Sequence, residues 1–146
     1  MISLTADWVS SEGVTLSQDG KLMVTDAPKR SGGDRFRLTS ENKSRCYIGE
    51  SSHLRGRFGA YRAPGSTQAT HLRWNARLRE HLEAGGAIGL DLIIQIGAPT
   101  QDNRKKEKNL SDTAVRRLLE QAAIVADEAT EIEPLNRRSM TFTPAI

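Results

Sequence analysis

Residues 44–62, "SRCYIGESSHLRGRFGAYR", decide the fold that we expect for this chain. The stretch begins as a strand that ends in "YIG" at 47–49, and it continues as a basic helical segment. The helical part carries Arg55, Arg57 and Arg62. A buried core does not need these arginines, because charged side chains are mostly exposed. A site that handles a phosphate group would use them, since the planar guanidinium group matches phosphate oxygens.

The residues around this stretch predict a hairpin followed by a helix. "RFRLT" at 35–39 and "RCYIG" at 45–49 alternate polar and apolar residues, which is typical of strands, and a polar turn joins them. Residues 52–61 then become helical, although two glycines weaken that pattern. The apolar side of this helix is formed by Leu54, Phe58 and Tyr61.

The second half of the chain predicts two longer helices with a strand between them. The expected elements are a helix at 70–84, a strand at 88–96, a polar and charged loop at 97–109, and a final helix that begins at Ser111 or Asp112. The chain leaves this last helix by Pro134. We expect its apolar face to consist of Val115, Leu118, Leu119, Ala122 and Ala126.

The N-terminal part predicts a further hairpin at 14–24, with "QDG" as its turn. We therefore expect a β-hairpin extension at 1–29 and a main domain at 30–146. The fold class is α/β in the broad sense (α+β), with a small, mostly antiparallel sheet and helices packed on it.

Composition indicates a single compact domain in a reducing compartment. The chain has 146 residues, and Cys46 is the lone cysteine, so no disulfide can form within the chain. The sequence shows neither an apolar run of about 20 residues nor a secretory signal, which favours a cytoplasmic protein without membrane association. The formal net charge is +3, which by itself is weak support for a nucleic-acid partner.

The order of these residues resembles the GIY-YIG nuclease superfamily. Arg57 follows Tyr47 by ten residues, Glu120 lies in the late helix within "RRLLEQAAI", and "LNR" at 135–137 comes after that helix. The resemblance covers about residues 30–138 of the sequence. It implies a GIY-YIG-like domain that hydrolyses DNA phosphodiester bonds with one divalent metal ion, Mg²⁺ or Mn²⁺.

The resemblance also implies roles for individual residues. Glu120 matches the helix glutamate that binds the metal ion, and Arg57 matches the arginine that stabilises charge in the transition state. Tyr47 and Tyr61 match positions that orient the attacking water and the phosphate. The residues expected to contact nucleic acid are Arg55, Arg62, Arg73, Asn75 and Asn136.

The first family motif, Gly-Ile/Val-Tyr, is altered in this chain. "SGGDRFRL" at 31–38 places either Asp34 or Phe36 at the position of the motif tyrosine, depending on the register. That tyrosine is a candidate general base in the family. In the first register Asp34 is a candidate catalytic substitute, because a carboxylate is able to accept a proton or bind metal, whereas in the second Phe36 is able to do neither.

Each of these features also has a plain structural interpretation. "YIG" alone is an ordinary strand end, Arg55 and Arg57 alone are surface arginines, and Glu120 alone is an exposed helix residue that Arg116 pairs with. The arginines at 73, 77 and 79, together with Asn75, form either a solvated helix face or a DNA-facing strip.

Three hypotheses follow. The first is a metal-dependent DNA endonuclease, the second is an inactive GIY-YIG-like domain that binds nucleic acid or a protein, and the third, weaker one is a nucleotide or small-molecule binder. Because no separate targeting domain is evident, a homodimer or a separate partner is expected to supply targeting.

Overall fold

The computed structural model describes residues 5–24, 27–41, 43–63, 65, 69–99, 105–107, 110–128 and 133–134. In chain order the elements are β1 (Val9–Leu16), β2 (Leu22–Met23), β3 (Gly32–Ser40), β4 (Lys43–Ser51), α1 (Leu54–Arg62), α2 (Ala69–Glu83), β5 (Ala87–Ile93), β6 (Gly97–Pro99), β7 (Lys105–Glu107), α3 (Thr113–Glu128) and β8 (Glu133–Pro134). The predicted order of hairpin, two helices, strand and final helix is confirmed, and the fold class is α+β.

Most of the strands form one sheet in the order β2-β1-β5-β3-β4-β8. All neighbours are antiparallel except β4 and β8, which are parallel. Strand β3 lies inside the sheet, so that Asp34 opposes Gly49 of β4 on one side and Leu92 of β5 on the other. The predicted β3–β4 hairpin therefore brings the two sequence motifs next to each other.

The N-terminal hairpin is part of this sheet. Strand β1 pairs with β2 as predicted, with Thr15 opposite Met23, and it also pairs along β5, with Val9 opposite Leu92. The hairpin therefore extends the sheet edge, and Val14 and Leu22 contribute to the main core. The division between 1–29 and 30–146 stays a prediction.

One face of the sheet carries the main core, and we call it the aromatic face. Side chains alternate between faces along a strand, so Phe36 and Leu38 of β3 lie on this face, together with Leu90 and Leu92 of β5. Helices α1 and α2 cover it. Leu54, Phe58 and Tyr61 of α1 are buried here as predicted, Leu78 of α2 is buried, and Trp74 and Leu82 of α2 are partly buried against the same core.

The opposite face is covered by α3, and here the predicted apolar face of the helix was wrong in part, since Val115 packs against the core as expected. Leu119 is buried as expected, but Leu118 is 57% exposed, and Ala122 and Ala126 are exposed as well. The buried side includes two charged residues, Arg116 and Asp127. The hydrophobic pattern misplaced the face because these two charges are paired inside the protein. The other buried residues of the helix are Ala123 and Ile124.

The segment predicted as a loop at 97–109 contains two short strands instead. β6 and β7 form an antiparallel pair, with Gly97 opposite Glu107, and Thr5 also pairs with Gly97. The sequence did not predict this pair, because Lys and Glu are depleted in strands.

The last helix begins at Thr113, where the Asp112 carboxylate accepts a hydrogen bond from the Ala114 N–H at 2.8 Å. Of the two predicted caps, Asp112 is therefore the one used. No helix in the part of the chain that the structure describes is long and apolar enough to cross a bilayer.

Candidate functional site

The strand register brings both candidate replacements for the motif tyrosine to the site. Phe36 opposes Tyr47 and Asp34 opposes Gly49 across the β3–β4 hairpin. Because Asp34 and Phe36 are two residues apart, both side chains lie on the aromatic face. The Phe36 ring lies 6.5 Å from the Tyr47 ring, centroid to centroid, and packs edge-on against Phe58 and Tyr61. Phe36 is thus the core partner of Tyr47, while Asp34 lies next to the glycine of "YIG".

Arg57 extends from α1 across Gly49 to reach Asp34. Its Nε atom lies 2.9 Å from Oδ2 of Asp34, which forms an ion pair. A Cβ atom at position 49 would overlap Nη2 of Arg57, so only glycine leaves room for the guanidinium group there. The Asp34 side chain is 0% exposed and the Arg57 side chain 16% exposed. The glycine of the motif therefore has a steric reason, which is the position of Arg57.

This buried ion pair is not saturated with hydrogen bonds. Nε of Arg57 is close to Asp34 but lacks hydrogen-bond geometry, and among the described residues neither carboxylate oxygen of Asp34 has a hydrogen-bond partner. The same holds for Nε and Nη2 of Arg57. Buried polar atoms normally have partners, and the exceptions often mark a place for water or a ligand. Arg57 consequently keeps donors that an anion is able to use.

Two tyrosines flank the guanidinium group of Arg57. Its Cζ atom lies 5.0 Å from the Tyr61 ring centroid and 5.9 Å from the Tyr47 ring centroid. Tyr61 is 1% exposed, whereas Tyr47 is only partly buried and stacks on Trp74 with 3.9 Å between ring centroids. The Tyr47 phenol interacts with both Arg57 and Tyr61. Tyr47 is therefore the more exposed of the two tyrosines beside Arg57.

Burial and charge shift the pKa values of these groups in different directions. Burial raises the pKa of Asp34, and the positive charge of Arg57 offsets this only in part. Burial opposes the charge of Arg57, yet Asp34 and the two tyrosines raise the pKa of Arg57 above its usual range. Burial also raises the pKa of Tyr61. Arg57 therefore stays positively charged, and Tyr61 stays protonated.

Glu120 lies on α3 and belongs to the same electrostatic environment. It is half-buried, and burial raises its pKa, with a further rise from the negative charge of Glu50. The positive charge of Arg57 opposes this rise in the pKa of Glu120, and the negative charge of Asp34 adds to it. Asp34, Tyr47, Arg57 and Tyr61 thus lie together, and Glu120, on the helix that covers the other face of the sheet, interacts with Arg57 and Asp34 electrostatically.

Glu50 and Arg116 form a pair that the sequence did not reveal. Nε of Arg116 donates to Oε2 of Glu50 at 2.6 Å, and Nη1 donates to the carbonyl oxygens of Leu110 and Ser111 at 2.8 Å each. The pairing of Arg116 with Glu120 that its spacing suggested is therefore wrong. The available signal was Glu50 itself, which follows "YIG" directly.

The donor set fits one kind of metal ion. Within the described ranges, no three Asp, Glu, His or Cys side chains are grouped so that they could hold a metal ion. A single carboxylate is enough for Mg²⁺, which keeps several waters and often binds through one or two carboxylates. Glu120 is half-buried and makes no ion pair with Arg116, which binds Glu50 instead, so its carboxylate is available to such an ion. Glu120 therefore fits a largely hydrated Mg²⁺ or Mn²⁺ ion.

The residues predicted to contact nucleic acid have different surroundings. Arg62 and Arg73 are exposed. Arg55 donates through Nε to the Ala27 carbonyl at 2.8 Å, and Asn75 donates through Nδ2 to the Tyr61 carbonyl at 2.6 Å. Arg55 and Asn75 thus make structural contacts. Asn136 lies outside the described residues.

No family model and no curated protein matches the sequence. The structure of a mutant of bacteriophage T4 EndoII, a GIY-YIG nuclease, is similar to this one, with a TM-score of 0.56 and 16% sequence identity. The match covers 89% of this chain and 92% of that chain.

The chain has the GIY-YIG nuclease fold. At 16% identity the likeness concerns the fold alone. In this chain β3 and β4 pair so that Asp34 lies opposite Gly49, and Arg57 lies over that glycine beside Tyr47.

Proposed function

We propose that this protein is a GIY-YIG-type endonuclease that hydrolyses DNA phosphodiester bonds with one divalent metal ion, Mg²⁺ or Mn²⁺. One observation carries the proposal. A buried arginine with unsatisfied donors lies over the glycine of "YIG" between two phenols.

Arg57 is the residue for charge in the transition state. Its side chain is held over Gly49, so little reorganisation is needed when a phosphate arrives. Asp34 holds Nε, while Nη2 has no hydrogen-bond partner among the described residues. Donors fixed in a water-poor site stabilise the developing negative charge more strongly than mobile surface arginines do.

Glu120 would hold the metal ion, and the ion would supply Lewis-acid stabilisation of the scissile phosphate and the leaving oxygen. Arg116 fixes Glu50 at the end of β4, from where the Glu50 charge raises the pKa of Glu120. Since only the carboxylate form of Glu120 binds a cation well, metal affinity is expected to increase as the pH rises through this raised pKa.

Tyr47 and Tyr61 have different roles in orienting the attacking water. The partly buried Tyr47 would position the attacking water beside the phosphate, and the buried Tyr61 holds the Tyr47 phenol in place. Asp34 takes over at the altered first motif by fixing Arg57, and its raised pKa makes it a better proton acceptor than an ordinary aspartate.

The test is a nicking assay on supercoiled plasmid and on single-stranded and branched oligonucleotides, with Mg²⁺, Mn²⁺ or a chelator. We expect metal-dependent cutting that disappears in Arg57→Ala and in Glu120→Ala. Glu83→Ala, which removes an exposed carboxylate from α2, is the matched control and is expected to cut normally. An absence of cutting on every substrate with every divalent metal would end the enzyme proposal.

Phe36 favours a second candidate, an inactive domain that binds nucleic acid. Phe36 stands opposite Tyr47 and brings no phenol to the site. A binder of this kind would show salt-sensitive DNA affinity that survives Glu120→Ala, decreases in Arg57→Ala and is accompanied by no cutting.

A further inference from the structure

A groove on the aromatic face lies between α2 and the β3–β4 hairpin. It consists of two adjoining hollows of about 570 and 340 Å³ that share Leu38, Arg45 and His81 as lining residues. We call it the α2 groove. Its charged lining residues are the cations Lys43, Arg45, Arg73 and Arg77 and the acids Glu41 and Glu80. Positive charge therefore exceeds negative charge in the groove.

Side-chain contacts connect the α2 groove with the candidate active site. Arg45 lies two residues from Tyr47 on the same face of β4, about 7 Å along the strand. On the helix side, Trp74 stacks on Tyr47, and the guanidinium carbon of Arg77 lies 5.7 Å from the Trp74 ring centroid. A line of contacts thus leads from Arg57 through Tyr47 and Trp74 to Arg77.

The walls of the groove are fixed relative to each other. Nε2 of His81, near the end of α2, lies 3.0 Å from the Thr39 carbonyl oxygen and 3.1 Å from the Ala87 carbonyl oxygen. The ring nitrogen is the donor in these contacts, because both partners are acceptors. They attach α2 to the ends of β3 and β5, so the arginines of α2 keep their position beside β4.

We propose that the α2 groove binds the sugar-phosphate backbone of DNA on one side of the cut. The inference rests on the proposed function, which places the scissile phosphate at Arg57. From Gly49 to Arg45 the strand spans about 13 Å, which corresponds to about four nucleotides at 3.4 Å rise. Arginine forks match phosphate oxygens, and such contacts give affinity without sequence choice.

Helix α2 carries arginines that line the groove and one arginine that does not. Arg73 and Arg77 are one turn apart on the same side of α2 and both line the groove. Arg79 is exposed on the same helix and does not line it. Arg79→Ala is therefore a matched control that removes the same charge from the same element.

The experiment measures equilibrium binding of a labelled 30-base-pair duplex by fluorescence anisotropy, without divalent metal, at a series of salt concentrations. In the Arg73→Ala/Arg77→Ala double variant, the loss of two phosphate contacts is expected to make the slope of log K against log salt shallower by about 1.8. That corresponds to about 30-fold weaker binding near 0.15 M salt. Arg79→Ala is expected to keep the wild-type slope, and Arg73→Lys/Arg77→Lys to keep most of it.

The outcomes separate this inference from the proposed function. An unchanged salt slope in the double variant, or an equal change of slope in Arg79→Ala, contradicts the proposal that the α2 groove binds DNA. The binding measurement needs no cutting, so an inactive protein still tests the groove. Conversely, if the wild type cuts plasmid but the double variant has the wild-type salt slope, the proposed function stands and DNA binding by the α2 groove is contradicted. Thermal melting confirms that the double variant is folded before the slopes are compared.

Discussion

Two buried aspartates on adjacent strands have opposite surroundings. Asp91 of β5 faces α3, and its oxygens accept from Nε of Arg35 at 2.9 Å, from Nε and Nη2 of Arg37 at 2.7 and 3.1 Å, and from the Ser10 hydroxyl at 3.2 Å. Asp34 of β3 faces the helices of the aromatic face, and neither of its oxygens has a hydrogen-bond partner among the described residues. Asp34 is 0% exposed and Asp91 1% exposed.

The difference separates a residue of the fold from a residue of the site. A buried charge that is fully hydrogen-bonded stabilises a unique arrangement, whereas one with unmet bonds is costly and is kept for another purpose. The pKa values agree with this distinction. Burial alone would raise the pKa of Asp91, but the hydrogen bonds from Arg37 and Arg35 lower it, while the pKa of Asp34 is raised.

The largest expected effect comes from removing Arg57, the arginine of the Asp34–Arg57 pair. Arg57→Ala should slow DNA cutting by about a thousandfold or more at saturating DNA, because no other group is held in its place. Single-turnover rates measure this. Arg62→Ala, on the same helix but exposed, should change only the DNA concentration needed.

Gly49→Ala tests the same site without removing a charge, since its Cβ atom would displace the guanidinium group of Arg57. We expect a loss of cutting close to that of Arg57→Ala. Wild-type single-turnover rates in either variant would contradict the role given to Arg57.

The second effect concerns Asp91 and the arginines that are hydrogen-bonded to it, Arg35 and Arg37. Asp91→Asn leaves Arg35 and Arg37 without their shared carboxylate, and breaking a buried ion pair on one side costs about 3–5 kcal/mol of unfolding free energy. Urea unfolding at pH 7 measures the loss. A loss below about 1 kcal/mol would place this network among ordinary surface ion pairs.

The pH dependence of this variant has a definite sign. The folded pKa of Asp91 lies below the ordinary aspartate value of 3.8, so its contribution to stability is present above that pH and is lost as the pH falls through the folded pKa. The stability difference between wild type and Asp91→Asn should therefore shrink in acid. A difference that stays constant down to pH 3 would contradict the lowered pKa.

A third, smaller effect has the reverse slope. The folded pKa of Asp34 is raised, so its contribution to stability is full below the ordinary aspartate value of 3.8 and decreases as the pH rises through the folded pKa. Relative to Asp34→Asn, the wild type should lose stability with rising pH, by at most about 1.4 kcal/mol per pH unit. Urea unfolding at a series of pH values compares the two slopes, and slopes of equal sign for Asp34 and Asp91 would remove the distinction between them.

Local sequence patterns correctly predicted the strands and helices that have clear periodicity or a capping residue. The β3–β4 hairpin, both helices of the aromatic face and the start of α3 follow from alternation, helical spacing and the Asp112 cap. The buried side of α3 did not follow, because its charged residues Arg116 and Asp127 are buried by partners on distant strands, Glu50 and Arg35. Long-range pairing of this kind leaves no trace in hydrophobic spacing.

For the site, sequence order alone suggested which residues share a region. It left open whether Asp34 or Phe36 takes the motif position, because a strand register is fixed by pairing and not by composition. The structure shows that both side chains lie on the same face and divide the position between them, Phe36 against Tyr47 and Asp34 against Arg57.

The smallest expected effect distinguishes a structural contact from a DNA contact within α2. Asn75 donates to the carbonyl of Tyr61 at the end of α1, so Asn75→Ala should lower the free energy of unfolding by about 1 kcal/mol, the usual value of one hydrogen bond. Its salt slope for DNA binding should equal that of wild type, because the amide is directed at backbone and not at phosphate. Arg79→Ala serves as the exposed control, with unfolding unchanged. A shallower salt slope with unchanged stability in Asn75→Ala would instead make Asn75 a phosphate contact and widen the DNA-binding surface beyond the α2 groove.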